Sequence, residues 1–235
     1  MSIDLNEDIK QRFKVLKSQY PNVDIIEDGI LCTQEYQAAK LKIMWMLKQD
    51  YWSDGNKLTI PYGVQVQNAI TNKNIQMCPT WKRMSQVSYG LLRDQFDFKN
   101  LPDSNVCAKE FLRTAVVEVD KELGDSKSEN EVILNGFNRY KDLVFRQIDA
   151  YRPDVIIICM DGALREIPEA IYNHCSGEKR CAWNKSDDLC WGAKMKDVVF
   201  LWSYHPQATR AVGEGLSDEK FFNSICSQYK RLTCA

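Results

Sequence analysis

The chain is expected to fold as an α/β protein, a three-layer α/β/α sandwich around a mostly parallel sheet. Four apolar runs, at 42–47, 115–119, 154–160 and 198–202, alternate with helical patterns along the chain, the order that parallel βαβ units require. The runs are apolar almost throughout rather than at every second position, and each stops at a polar or charged loop, which suits strands covered on both faces. The 235 residues, 44% hydrophobic and 27% charged, can fill one large core. A single domain over 1–235 follows, with a helical N-terminal extension at about 1–22 and an excursion at about 174–196.

Ile9, Phe13, Leu16 and Tyr20 recur at spacings of three and four, which predicts an amphipathic helix ended by Pro21. Residues 23–26 are a short strand candidate, Asp28-Gly29 a turn, and Thr33 a cap for a helix running through Glu35 to Lys40. The run at 42–47 is taken as a strand, although periodicity alone leaves a helix segment open. A long polar connection, 53–79, follows, and connections of that length inside a compact domain are more often functional than idle. Thr80 opens a helix through Leu92, and 94–105 is polar. After the strand at 115–119, the spacing of Val132, Ile133, Phe137, Tyr140, Val144 and Ile148 predicts a helix over 130–151, stopped by Pro153. The strand at 154–160 turns at Asp161-Gly162 into a helix through about Tyr172. The excursion then reads as a hairpin, 198–202 as the last strand, and 217–232 as a final helix capped by Ser217.

The formal net charge is −1, from 31 basic and 32 acidic residues, so there is no global basic footprint for nucleic acid, while a local basic face stays open. Met1 is followed by a polar stretch rather than a basic and then an apolar region, and no apolar run approaches membrane-spanning length. A cytoplasmic monomer with no membrane partner is the expectation. The nine cysteines are read as reduced thiols. Cys175, Cys181 and Cys190, with His174, form the one cluster that could hold a metal, but they lack a Cys-x-x-Cys pair, so neither metal nor cofactor is expected.

In open α/β sheets ligands bind beyond the carboxyl ends of the strands. Gln49, Asp50, Tyr51 and Trp52 follow the first strand, Glu118 ends the next, and His205, one of two histidines and fixed by the following Pro206, lies after the last. Each also has a plain structural reading: Asp50 as a turn carboxylate, His205 as an ordinary loop histidine, Trp45 as core.

The succession of an apolar strand into Gln49-Asp50-Tyr51, a Val-Val-Glu-Val strand, a Pro-Asp-Val-Ile-Ile-Ile strand into a glycine and a helix, and a last strand into His205-Pro206 resembles the uracil-DNA glycosylase superfamily over roughly residues 40–215. The resemblance implies a uracil-DNA glycosylase-like fold and a monofunctional enzyme that flips out a base, cleaves its N-glycosidic bond with water and needs no cofactor. Asp50 would position and activate the water. His205 would donate a hydrogen bond to the departing base. Tyr51, Trp52 or Tyr62 would stack on that base, beside Gln49, and Lys48, Gln207, Thr209 and Arg210 would meet the DNA. The chain departs from the family's Gly-Gln-Asp-Pro-Tyr-His pattern, with Lys48 for the glycine, no proline, and Trp52 for the histidine.

Uracil-removing members generally read the base with an Asn in the middle strand, where this chain offers Glu118. A carboxylate repels the O4 acceptor of uracil and accepts from the N4 amino group of cytosine. The expected substrate is therefore a modified cytosine, as in defence against phage DNA, with Arg113 or Glu122 as alternatives if the register slips. Repair of uracil or deaminated bases, and an idle DNA-binding module, remain open. A nucleotide-processing enzyme would want a Gly-rich phosphate loop and a serine hydrolase a Gly-x-Ser-x-Gly elbow; the chain has neither.

Overall fold

The computed structural model describes residues 5–49, 61–124, 129–178, 181, 183–185, 189–211 and 214–234. Asp50, Tyr51 and Trp52, with residues 53–60 of the polar connection expected at 53–79, lie outside them.

Helix α1 (Leu5–Gln19) buries Ile9 and Phe13. The strand expected at 23–26 is reduced to a single bridge between Ile25 and Glu122, and the short edge strand β1 (Gly29–Ile30) stands where a turn was expected. Gly29 has a φ of +131°, and a Cβ there would overlap the Tyr151 hydroxyl, so the close approach of Tyr151 rather than a turn accounts for the glycine. Helix α2 (Thr33–Ala38) begins at Thr33, and its cap position is Cys32 with no side-chain bond.

Strand β2 (Ile43–Leu47) is wholly buried. Helix α3 (Tyr62–Thr71) occupies part of the expected polar connection, and α4 (Pro79–Leu92) starts with Pro79 in its first turn, where the missing N–H has no partner to lose. Helix α5 (Ser104–Phe111), unforeseen, begins at the end of the polar stretch and is capped by Asp103, whose carboxylate accepts from Asn105 and Val106. Then come β3 (Thr114–Glu118), α6 (Asn130–Tyr151), β4 (Val155–Cys159) and α7 (Glu166–Ser176). The excursion supplies β5 (Asn184–Lys185) and β6 (Cys190–Met195), which pair antiparallel. Strand β7 (Val198–Ser203) leads to the small hairpin β8 (Arg210–Ala211) and β9 (Glu214–Gly215), and α8 (Asp218–Thr233) closes the chain with Ser217 accepting from Lys220 N–H as its cap.

The seven strands β1 to β7 form one mixed sheet in the order β1-β3-β2-β4-β7-β6-β5. Its centre, β3-β2-β4-β7, is parallel, while β1 runs antiparallel to β3 and β6 to β7. Side chains alternate between two cores. Trp45, Val116, Ile157 and Leu201 meet α3, α4, α5 and α8, whereas Met46, Val117, Ile158 and Phe200 meet α1, α6 and α7. Trp45 is wholly buried as expected of core, and its indole N–H donates to Ser88 Oγ at 3.0 Å. No described helix is long and apolar enough to cross a membrane.

From β2 the chain crosses to β3 on one side, and from β3 to β4 on the other. The crevice beyond the carboxyl ends of β2 and β4 is therefore the topological switch point, where such sheets bind ligands.

Candidate active site

The register sets the floor of the site. Leu47 stands beside Glu118, Met46 beside Ile158, and Cys159 beside Ser203, so the loops that open with Lys48, Val119, Met160 and Tyr204 leave the sheet at one level. Backbone bonds continue past the strands: Asp120 N–H reaches Lys48 O at 3.0 Å, and Met160 N–H reaches Ser203 O at 2.9 Å.

Across the switch point Lys48 Nζ forms an ion pair with Asp161. Lys48 was expected to meet DNA; in this conformation its ammonium is engaged, and a phosphate would have to exchange with Asp161. Gln49 does not stand alone either: its Nε2 donates to Asp120 Oδ2 at 2.9 Å, and its amide packs against Gly124 so closely that a Cβ there would overlap it. Asp120, which sequence reasoning passed over, is 3% exposed and also accepts from Glu122 N–H at 3.1 Å. Burial is the main reason its carboxyl is pushed up to about 6. The carboxylate lies against Gly136 of α6, and a Cβ at that position would overlap it. In an ordinary helix interior Gly→Ala gains roughly 1 kcal/mol. Gly136→Ala is instead expected to lose about 1–3 kcal/mol by overpacking, read from urea midpoints; a stabilised variant would show that the carboxylate moves aside freely.

His205 is partly buried after β7. Gln207 N–H donates to its Nδ1 at 3.2 Å, so the neutral ring carries its proton on Nε2 and offers a donor there. Burial first, and then the Lys48 cation, pulls His205 down to about 4, with Asp161 opposing. The ring is therefore a neutral donor across the physiological range.

The loop after His205 is built around a residue the sequence did not single out. Arg83 of α4, 8% exposed, donates from Nη1 to Pro206 O at 2.9 Å and Ala208 O at 2.7 Å, from Nη2 to Leu216 O at 2.6 Å, and from Nε to Asp218 Oδ1 at 2.7 Å. With the carbonyls turned inward, Gln207, Thr209 and Arg210 are exposed. A signal existed only in hindsight: an arginine among the apolar positions of a helix needs buried acceptors.

Glu118, at the end of β3 beside Leu47, is 2% exposed; burial first, and then the Glu118 charge, pushes the Cys159 thiol up. Its backbone N–H is held by Asp28 Oδ2 at 2.6 Å. Asp28 in turn accepts from Lys121 Nζ at 2.7 Å and Gln147 Nε2 at 2.7 Å, a fully buried network beneath the site. The alternatives to Glu118 have partners of their own. Arg113 precedes β3 and pairs with Glu35, and Glu122 takes Arg139 and the Tyr140 hydroxyl.

Tyr62 is corrected as a stacking platform: it is 2% exposed, stands edge-on to Trp81, and its hydroxyl accepts from the Trp81 indole at 2.7 Å. The cysteine cluster is not gathered, because Cys190 enters the core on one face of the sheet while Cys175 and Cys181 pack on the other. His174 stacks on Phe145 and bonds Asp149. A cavity of about 480 Å³, bordered by Phe13, Ile30, Val64 and Tyr151, opens beside the edge strand β1, away from His205.

The arrangement offers a neutral donor, a carboxamide fixed by a carboxylate, a buried carboxylate at the end of β3 and a hydrogen-bonded exposed loop at one end of the sheet. No family model matches the chain, and no curated protein matches it.

Proposed function

We propose that the chain is a monofunctional DNA glycosylase of the uracil-DNA glycosylase type, acting on a modified cytosine-type base. One observation carries the reading: a neutral His205 with its proton on Nε2, at the same end of the sheet as Gln49 and next to the switch point. When the N-glycosidic bond breaks, its electron pair goes to the base and the sugar becomes cationic. The Nε2–H of His205 stabilises the negative charge on the base. Water adds to the sugar carbon and gives its proton to Asp50, a role taken from the resemblance, since Asp50 lies outside the described residues. A low imidazole pKa serves this purpose, because the donor stays in one protonation state throughout.

Glu118 would supply the cytosine preference: a carboxylate at the end of β3 can accept from an exocyclic amino group. Gln207, Thr209 and Arg210 are exposed on the clamped loop and suited to phosphate and groove contacts.

The test is release of free base from oligonucleotides carrying uracil, cytosine, or methylated, hydroxymethylated and glucosylated cytosine, with abasic sites read by alkaline cleavage. Asp50→Ala and His205→Ala are each expected to lower release by about 10²-fold, and Glu118→Gln to shift preference towards uracil. Efficient release of uracil with every modified cytosine ignored would replace the substrate by deaminated bases. Salt-sensitive DNA binding without any release would leave a binding module.

A further inference from the structure

We infer that Arg83 is a positioning residue for His205, acting through the Pro206–Gln207 peptide to decide which ring nitrogen carries the proton. The peptide group is rigid, and its carbonyl and N–H point in opposite directions when it is trans; the described residues contain no cis bond. The carbonyl of this group is Pro206 O, held by Arg83 Nη1 at 2.9 Å, and its N–H is that of Gln207, which donates to His205 Nδ1 at 3.2 Å. One edge of the plane is tied to a buried guanidinium and the other edge is thereby aimed at the imidazole.

The neighbouring bonds remove the remaining freedom. Arg83 Nη1 also holds Ala208 O, Arg83 Nη2 holds Leu216 O, and Ala208 N–H returns to His205 O at 2.8 Å. Both feet of the loop and the histidine's own carbonyl belong to one hydrogen-bonded unit. Arg83 is fixed from behind by Asp218, which lies in the first turn of α8, and its guanidinium sits 5.7 Å from the Phe221 ring. A guanidinium suits the task because its five N–H groups fan out in one plane, whereas an ammonium is a point donor that cannot span three carbonyls and a carboxylate.

The tautomer can be read directly, because the chain has two histidines and the other, His174, lies against Phe145 and Asp149, away from the loop. In long-range nitrogen–proton NMR spectra at neutral pH, His205 of the wild type is expected to show a protonated Nε2. In Arg83→Met it is expected to become a mixture of tautomers, with His174 unchanged as the internal reference. Arg83→Lys, which keeps a cation near Asp218, is expected to be intermediate, and it carries the test alone should the Met variant fail to fold. The catalytic consequence rests on the glycosylase reading: base release should fall tenfold or more through kcat, with KM little changed. A wild-type His205 pattern in folded Arg83 variants overturns the inference whatever the activity. A shifted tautomer supports the inference even if wild-type protein releases no base, and that second result would count against the glycosylase alone.

Discussion

Lys121→Met is expected to cost about 3–5 kcal/mol of folding stability, the usual consequence of leaving one member of a buried ion pair behind. Lys121 is 0% exposed, and its ammonium is bonded to Asp28 Oδ2 and to Gln147 Oε1 at 2.8 Å. Burial pulls its pKa down while Asp28 raises it, so the charge is tolerated only because its partner is present. Removing the ammonium leaves the Asp28 carboxylate buried without its counter-charge, held by Gln147 Nε2 and the Glu118 N–H; Asp28→Asn leaves the ammonium without its counter-charge instead, and a loss of similar size is expected. The double variant carries neither charge and should lie well above the sum of the two losses. Urea midpoints with an unchanged m value provide the measurement. Losses below about 1 kcal/mol in both single variants would mean that water reaches the pair. Because Asp28 also anchors the Glu118 backbone, the same variants should disturb the end of β3, so a change they cause at the candidate site should not be assigned to direct contact.

The second large effect depends on pH. Asp120→Asn removes a carboxyl that burial pushes up to about 6 from an ordinary 3.8. A raised carboxyl favours the folded state while protonated. Its contribution is complete below about pH 3.8 and is lost as the pH rises through about 6, a difference of about 3 kcal/mol. His205 runs the other way: pulled down to about 4 from 6.5, it contributes fully above pH 6.5, and that contribution is lost as the pH falls towards 4. In the wild type the two slopes oppose each other between about pH 4 and about 6. The Asn variant should gain on the wild type as the pH is raised across that window, by up to about 3 kcal/mol. Parallel stability curves would show that Asp120 titrates normally.

The four central strands were legible because each is a short, continuous apolar run bounded by turn signals; periodicity alone does not separate such a run from a buried helix segment, and its shortness decided for the strand. Helix α6 was legible in full, since Ile133, Phe137, Tyr140, Val144 and Ile148 recur on one side and Pro153 stops it. Strand β1 was not, because two residues carry no periodicity and Gly29 mimics a turn; its glycine answers to a tyrosine 122 positions later, a relation no local window contains. Helix α5 was hidden by its polar cap. At the site, His205 stood out as one of two histidines, but Asp120 and Arg83 did not. Asp120 looks like any loop carboxylate until α6 covers it. Arg83 looks like a helix-surface charge until three carbonyls from residues 206–216 are brought to it. What sequence hides is burial created by distant segments.

The order of the strands also has a consequence in time. Strand β7 pairs with β6 across a turn at Lys196 and Asp197, with Lys196 at a φ of +51°, so this hairpin can form as soon as its own residues meet. The β2–β4 seam joins segments 112 positions apart, as the bond from Lys42 N–H to Asp154 records, and such a closure is slow because chain entropy must be spent before the contact repays it. The histidine end of the crevice is thus mounted on an early-forming piece, and the crevice itself comes into being only with the late meeting of β2 and β4. A chain stalled halfway through folding holds the parts of the site without the site.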